Sequence, residues 1–538
     1  ALRSSTLLLA AAAAAAQDVD WRSVGGLNLV TSARSSTYPQ KGLGCDASWA
    51  FAAASMLGDR LYIQAMAARK ENAVYPTKVT LSAQAFLNCA PNASCHVGRV
   101  EAALEMAQKY GAVDETCQSW RGQKETCEPT HVCVNCFGLC EAVEEYVVYG
   151  VSSYGRVDDW REELKNGPIA CRIVGSSGTG NSSLPTSRPF YASIVASKGP
   201  QVAIGQPNFG TFRGNESRFS GFYSFPEDSL EECWQATPTV RSTKGALDFK
   251  DVTETPDVST TKERRRLSLH DELSSAEHKS AFSFRRERRT LEQLPEAFDW
   301  RAVVPLTPVR SHHVGPIYCG GCYSFATTST YSDRLKIARF LDGETTVQDV
   351  VVAAQAVVDC VRPRRGCLGG NAQAVFAFME RNALPDDTCS PFRSQNFHDC
   401  ADSCTECLDF DAAKCHQVTT PFATYDADAH GLLPPGEAPM MAEIYQHGPI
   451  ECMLLDSVPE FQDYDGASII CPETTDTGHN HDVEILGWGV DDADGTPYWI
   501  GRNSWGTAYG DSGFFRLCKG RDKLGVESQG CAFVSPTL

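Results

Sequence analysis

The chain alternates between two hydrophobic patterns, and it does so twice. An Ala-rich run follows "CDASWAF" at Cys45, and a run with apolar residues at helical spacing follows "YCGGCYSF" at Tyr318. Both read as helices, with Phe325, Leu335 and Ile337 on the apolar face of the second. Later in each half the pattern changes to short apolar runs broken by glycine, such as "VEILGWGV" and "YWIGRNSWG", which predict strands and turns. Helices first and strands later predict an α+β domain with two lobes. At the start, "ALRSSTLLLAAAAAAAQ" places Arg3 before a Leu and Ala run that ends in small residues. Residues 1–17 therefore read as a secretory signal peptide, and no other stretch is long and apolar enough to cross a bilayer.

The doubling extends to motifs. "DWRSVGGLNLV" from Asp20 recurs as "DWRAVVPLTPV" from Asp299, and "SMLGDRLYI" recurs as "STYSDRLKI". Cys89, Cys117 and Cys171 find counterparts in Cys360, Cys389 and Cys452, at a nearly constant offset along the chain. Register held that long predicts two diverged copies of one domain, residues 18–240 and 294–538. Between them, 241–293 lose aromatic residues and gain charge in "KERRRL" at Lys262 and "FRRERRTLEQ" at Phe284. The segment reads as a solvated linker, and its arginine clusters also suit a basic-specific convertase.

A charge of −19 on 538 residues, with basic runs in one short stretch only, excludes a nucleic-acid partner. The 23 cysteines predict an oxidising compartment, lysosomal or extracellular. There the sequons at Asn92, Asn181 and Asn215, all in the first copy, would accept glycans. "CVNC" at Cys133 and "CTEC" at Cys404 read as disulfide cysteines, because neither has paired histidines at ligand spacing.

The first copy holds ten cysteines and the second thirteen, so complete pairing in the first leaves an odd thiol in the second. The candidate is Cys322, whose counterpart is Ser48. A thiol nucleophile needs a base and the base an orienting group. His481 stands far downstream of Cys322, and Asn503 follows His481 after a short interval.

That order and spacing, with "LPEAFDWR", "GCLGGNAQAVFAF", "MMAEIYQHGPIEC", "NHDVEILGWG" and "YWIGRNSWG", resemble the papain family, and within it the cathepsin X branch, over nearly all of residues 294–538. The resemblance implies a helical lobe and a β-rich lobe, with Cys322 at the start of the central helix and His481 facing it. Asn503 would orient the imidazole and Trp505 would shield that hydrogen bond. A helix N-terminus and a nearby imidazolium both favour thiolate. The branch carries an insertion with a histidine and a proline that binds the substrate's C-terminal carboxylate. Its equivalent here is "RSHHVGPIYC", with His313 and Pro316. This implies a carboxypeptidase acting on peptide or protein substrates, without metal or organic cofactor.

Two residues depart from the family pattern. His312 stands where the oxyanion-hole glutamine is expected and would donate better at acidic pH, and Tyr323 replaces a tryptophan. The first copy departs further. Ser48 replaces the nucleophile, Ser36 falls near the oxyanion glutamine, and Pro200 falls near the base, while its only histidines, His96 and His131, lie too early in the chain. It reads as an inactive copy that could mask the second, bind a partner or present glycans. Two other readings stay open: a non-catalytic pair of papain-like folds, and a thiol-redox role in which Cys319 and Cys322 form a cycling disulfide.

Overall fold

The computed structural model describes residues 18–32, 34, 45–70, 73–95, 97–127, 133–137, 139–174, 189–198, 201–205, 222–244, 294–315, 317–344, 347–362, 366–396, 400, 405–407, 415–417 and 423–538. The signal-peptide reading, nearly all of the linker, Ser36, His96, His131, Asn181, Pro200, Asn215 and Pro316 lie outside them.

Two seven-stranded antiparallel sheets share one plan. In the first, the spatial order is Glu145–Arg156, Leu230–Lys244, Ile169–Ile173, Phe190–Lys198, Gln201–Gly205 and Phe222–Pro226, with Val19–Asp20 pairing on Phe190–Lys198. In the second it is Ala427–Leu432, Cys531–Pro536, Ile450–Leu454, His481–Val490, Pro497–Arg502 and Phe514–Cys518, with Phe298–Asp299 pairing on His481–Val490. The strand Leu230–Lys244 runs past the boundary at 240 that the sequence suggested.

The repeated "DWR" explains itself in both copies. Its indole N–H donates to a buried carbonyl, Trp21 to Leu164 and Trp300 to Ile444, while its Arg closes on its Asp two residues back. Burying an indole is favourable only where the N–H finds such a partner.

Each copy packs a long helix, Ser48–Ala68 or Cys322–Leu341, against its sheet. Phe325, Leu335 and Ile337 are buried as the pattern predicted. The apolar stripe is nevertheless too narrow a description, because Asp333, Arg334 and Lys336 are buried on the same helix. Their partners make that tolerable: Thr307 donates to Asp333, Arg334 reaches Pro449 O and Glu443, and Lys336 meets Asp349.

In the first copy all ten cysteines pair, as Cys45–Cys95, Cys89–Cys127, Cys117–Cys133, Cys136–Cys140 and Cys171–Cys233. In the second, Cys319 bonds Cys367, Cys360 bonds Cys400, Cys452 bonds Cys531 and Cys471 bonds Cys518. Cys322 is a free thiol. The Cys319–Cys322 disulfide of the redox reading is absent, because Cys319 is bonded to Cys367.

The copies are joined by polar contacts, buried or partly buried. Lys78 of the first places its ammonium 2.7 Å from the Asp349 carboxylate of the second, which also holds Lys336. Thr507 donates to Asp114 at 2.5 Å, and the Tyr75 N–H donates to Arg301 O at 2.7 Å.

Candidate active site

Cys322 is the first residue of the central helix of the second copy, and His481 opens the strand that packs beside it. His481 Nε2 lies 2.8 Å from Asn503 Oδ1, a hydrogen bond that leaves Nδ1 to the other side of the ring. The Trp505 ring stands 5.0 Å from that imidazole, centroid to centroid, tilted by 42°. The short interval between base and orienter corresponds to one hairpin, because His481–Val490 and Pro497–Arg502 pair antiparallel and Asn503 follows at once.

Two carboxylates that the sequence reading passed over also stand here. Cys322 Sγ donates to Asp482 Oδ2 at 3.5 Å, and Asp456 Oδ2 lies 3.9 Å from His481 Nδ1. Burial first, and then the Asp482 charge, push the Cys322 thiol well above its ordinary value. This opposes the thiolate that a helix N-terminus and an imidazolium favour. The signal for Asp482 was legible as a charged residue between the histidine and the largely apolar run "VEILGWGV", and the first nine residues of that strand are all buried. Glu451 is buried beside it, and burial and Asp482 hold its carboxyl protonated well above the usual range.

His312 and His313 are both buried at 2% exposure. His312 is tied down, its N–H donating to Ser504 O and its Nδ1 3.0 Å from Ser504 Oγ, with its ring 6.0 Å from that of His481. Burial, then His313 and His481, lower its pKa well below the usual value, which works against the better donation in acid that the sequence suggested. His313 stacks on Trp505 at 5.6 Å and 22°. Among the described residues neither of its ring nitrogens has a hydrogen-bond partner, and burial followed by His481 lowers its pKa to about 3. In this closed arrangement His313 is neutral, and the protonated end-reader of the sequence reading requires a carboxylate to arrive first. Tyr323, the other departure, is buried and donates its hydroxyl to Gly366 O at 3.1 Å.

The first copy repeats the backbone without the chemistry. Ser48 begins its long helix, but its hydroxyl donates to Asp46 at 3.1 Å and accepts the Tyr191 N–H at 3.2 Å. Strand register corrects the place assigned to Pro200. Leu454 pairs with His481 as Ile173 pairs with Phe190, and Gly487 pairs with Asp299 as Ala196 pairs with Asp20. The residue at the position of His481 is thus Phe190, a side chain with no proton to exchange. Sequence similarity missed it because that strand, "FYASIVASK", keeps neither the histidine nor the glycines of "HDVEILGWG". Among the sequons, Asn92 is exposed in a turn with φ +55°.

A family model described as papain family cysteine protease matches residues 15–179 and 294–534, one stretch in each copy. Cathepsin Z of Onchocerca volvulus is 33% identical over 234 residues, 43% of this chain and 72% of that protein. Cathepsin B-like CP2 of Giardia intestinalis is 30% identical over 246 residues, 45% of this chain and 74% of that protein. Cathepsin C of Schistosoma mansoni is 28% identical over 255 residues, 45% of this chain and 51% of that protein.

Proposed function

The chain belongs to the papain family of cysteine proteases, and on that premise we propose that it is a cysteine-type carboxypeptidase whose second copy, residues 294–538, does the chemistry. The observation that carries the proposal is the His481–Asn503 hydrogen bond beside the free thiol of Cys322. Cys322 loses its proton to His481 and attacks the last peptide carbonyl, His481 protonates the departing amine, and water then releases the acyl group. Asn503 holds the imidazole in orientation, Trp505 keeps water from that bond, and His312 offers an N–H to the oxyanion. His313 reads the substrate's terminal carboxylate, which would supply the hydrogen-bond partner that its ring lacks.

The first copy, residues 18–240, is the non-catalytic partner, because Ser48 and Phe190 supply neither thiol nor base. The disulfides support a secretory-pathway protein, lysosomal or extracellular. Among the described residues no helix is long and apolar enough to cross a membrane. Peptides or proteins are the substrates. Asp482 beside the thiol favours one alternative, a non-catalytic pair of papain-like folds that binds or builds.

The test is incubation of the mildly reduced protein with an epoxide inhibitor of papain-like enzymes, mapped by peptide mass, beside digestion of a peptide with a free or amidated C-terminus. An adduct on Cys322 alone, absent from Cys322→Ala, with trimming of the free-ended peptide only, supports the proposal. Neither adduct nor trimming would move the reading to the structural pair.

A further inference from the structure

The first copy reaches into the second at the segment that carries His313. Its short hairpin, Val134–Phe137 with Leu139–Ala142, is closed by the Cys136–Cys140 disulfide. The Cys136 N–H donates to His313 O at 3.0 Å, and the Arg121 guanidinium donates to Val314 O. Gly315 sits in the left-handed region at φ +62°, and a Cβ there would stand 2.9 Å from Cys136 Sγ. Backbone and disulfide therefore approach more closely than any other residue at 315 allows.

Phe137 completes the contact. Its ring lies edge-on to His313 at 5.4 Å, to Tyr318 at 5.8 Å and to Trp505 at 6.1 Å. It is nevertheless 52% exposed, beside Ile317 and Tyr318, which are also exposed. Below it lies a cavity of about 340 Å³ lined by Asn135, Phe137, His313, Tyr464, Trp505 and other residues of both copies. A peptide end that reaches the unpartnered nitrogens of His313 through this cavity passes between the two copies.

The geometry points to the first copy as a working part of the end-reading site: Arg121, Cys136 and Phe137 are positioning residues that hold segment 312–315 so that His313 can meet a peptide's terminal carboxylate. The copy that has lost its nucleophile thus makes its partner discriminate peptide ends. This rests on the carboxypeptidase reading, and binding separates the two.

The experiment uses the full chain with Cys322→Ala, titrated calorimetrically at pH 5 with an acetylated hexapeptide carrying a free C-terminus and with its amide. The parent is expected to prefer the acid by about tenfold, the value of one charge-assisted hydrogen bond. Phe137→Ala and Arg121→Ala should each bring that ratio toward one, and Phe137→Tyr should retain it. A ratio that Phe137→Ala and Arg121→Ala do not change overturns the inference, as does a parent that binds acid and amide alike. The epoxide reaction of the unsubstituted protein reports separately on whether Cys322 is a nucleophile.

Discussion

Replacing His313 by Phe should make the protein more resistant to acid. The ring is 2% exposed, and neither nitrogen has a hydrogen-bond partner among the described residues, so an apolar ring loses no bond there. Its pKa is about 3 in the folded chain against 6.5 in the unfolded one. Between those values the unfolded chain binds a proton that the folded chain refuses, so stability rises with pH across this window and levels off above it. At pH 5 the refusal costs about 1.36 kcal/mol for each pH unit below 6.5, or about 2 kcal/mol, and at pH 7 it has nearly vanished. Urea unfolding followed by tryptophan fluorescence at both pH values gives the test, with the other titrating groups cancelling between the two proteins. By the same linkage His313→Phe should gain about 2 kcal/mol more at pH 5 than at pH 7, whatever fixed offset the extra ring volume adds. An equal difference at the two pH values would show that His313 takes up a proton as readily in the folded chain as in the unfolded one and refute the reasoning.

Three further outcomes follow from the site and the join. Asp482→Asn removes a negative charge 3.5 Å from Cys322 Sγ, so the pH at which iodoacetamide alkylates Cys322 should move down. Asn503→Ala should lower kcat by about 10²-fold with KM little changed, because it frees the imidazole without touching substrate. Asp349→Leu leaves the buried Lys78 and Lys336 without a carboxylate and should cost about 3 kcal/mol or more in urea unfolding, part of it recovered when Lys78→Met is added.

Much of the second copy was legible because its chemistry is local. Cys322 sits where a polar-to-helical change occurs, and "VEILGWGV" and "YWIGRNSWG" lie on the strands that carry His481 and lead into Asn503. The family match in both halves and the α+β class agree with that reading. Asp482 and Asp456 were missed because a resemblance directs attention to the positions a family shares, while these act on the thiol and the imidazole from positions it does not mark. Pro200 was misassigned because a strand that has lost its function keeps hydrogen-bond register and not residue identity. Contacts such as Cys136 N–H to His313 O join residues far apart in the chain, and no local pattern encodes them.

The ammonium of Lys78 on Asp349 bears on what a cut among the arginines of residues 241–293 would accomplish. A removable inhibitor is held by contacts that water can replace, whereas separating these copies would strip Lys78 of the carboxylate that pairs it and would break the contact of the hairpin with the His313 segment. Nicking would therefore yield a light and a heavy chain that travel together through a gel-filtration column, and maturation would change the number of termini without changing the number of particles.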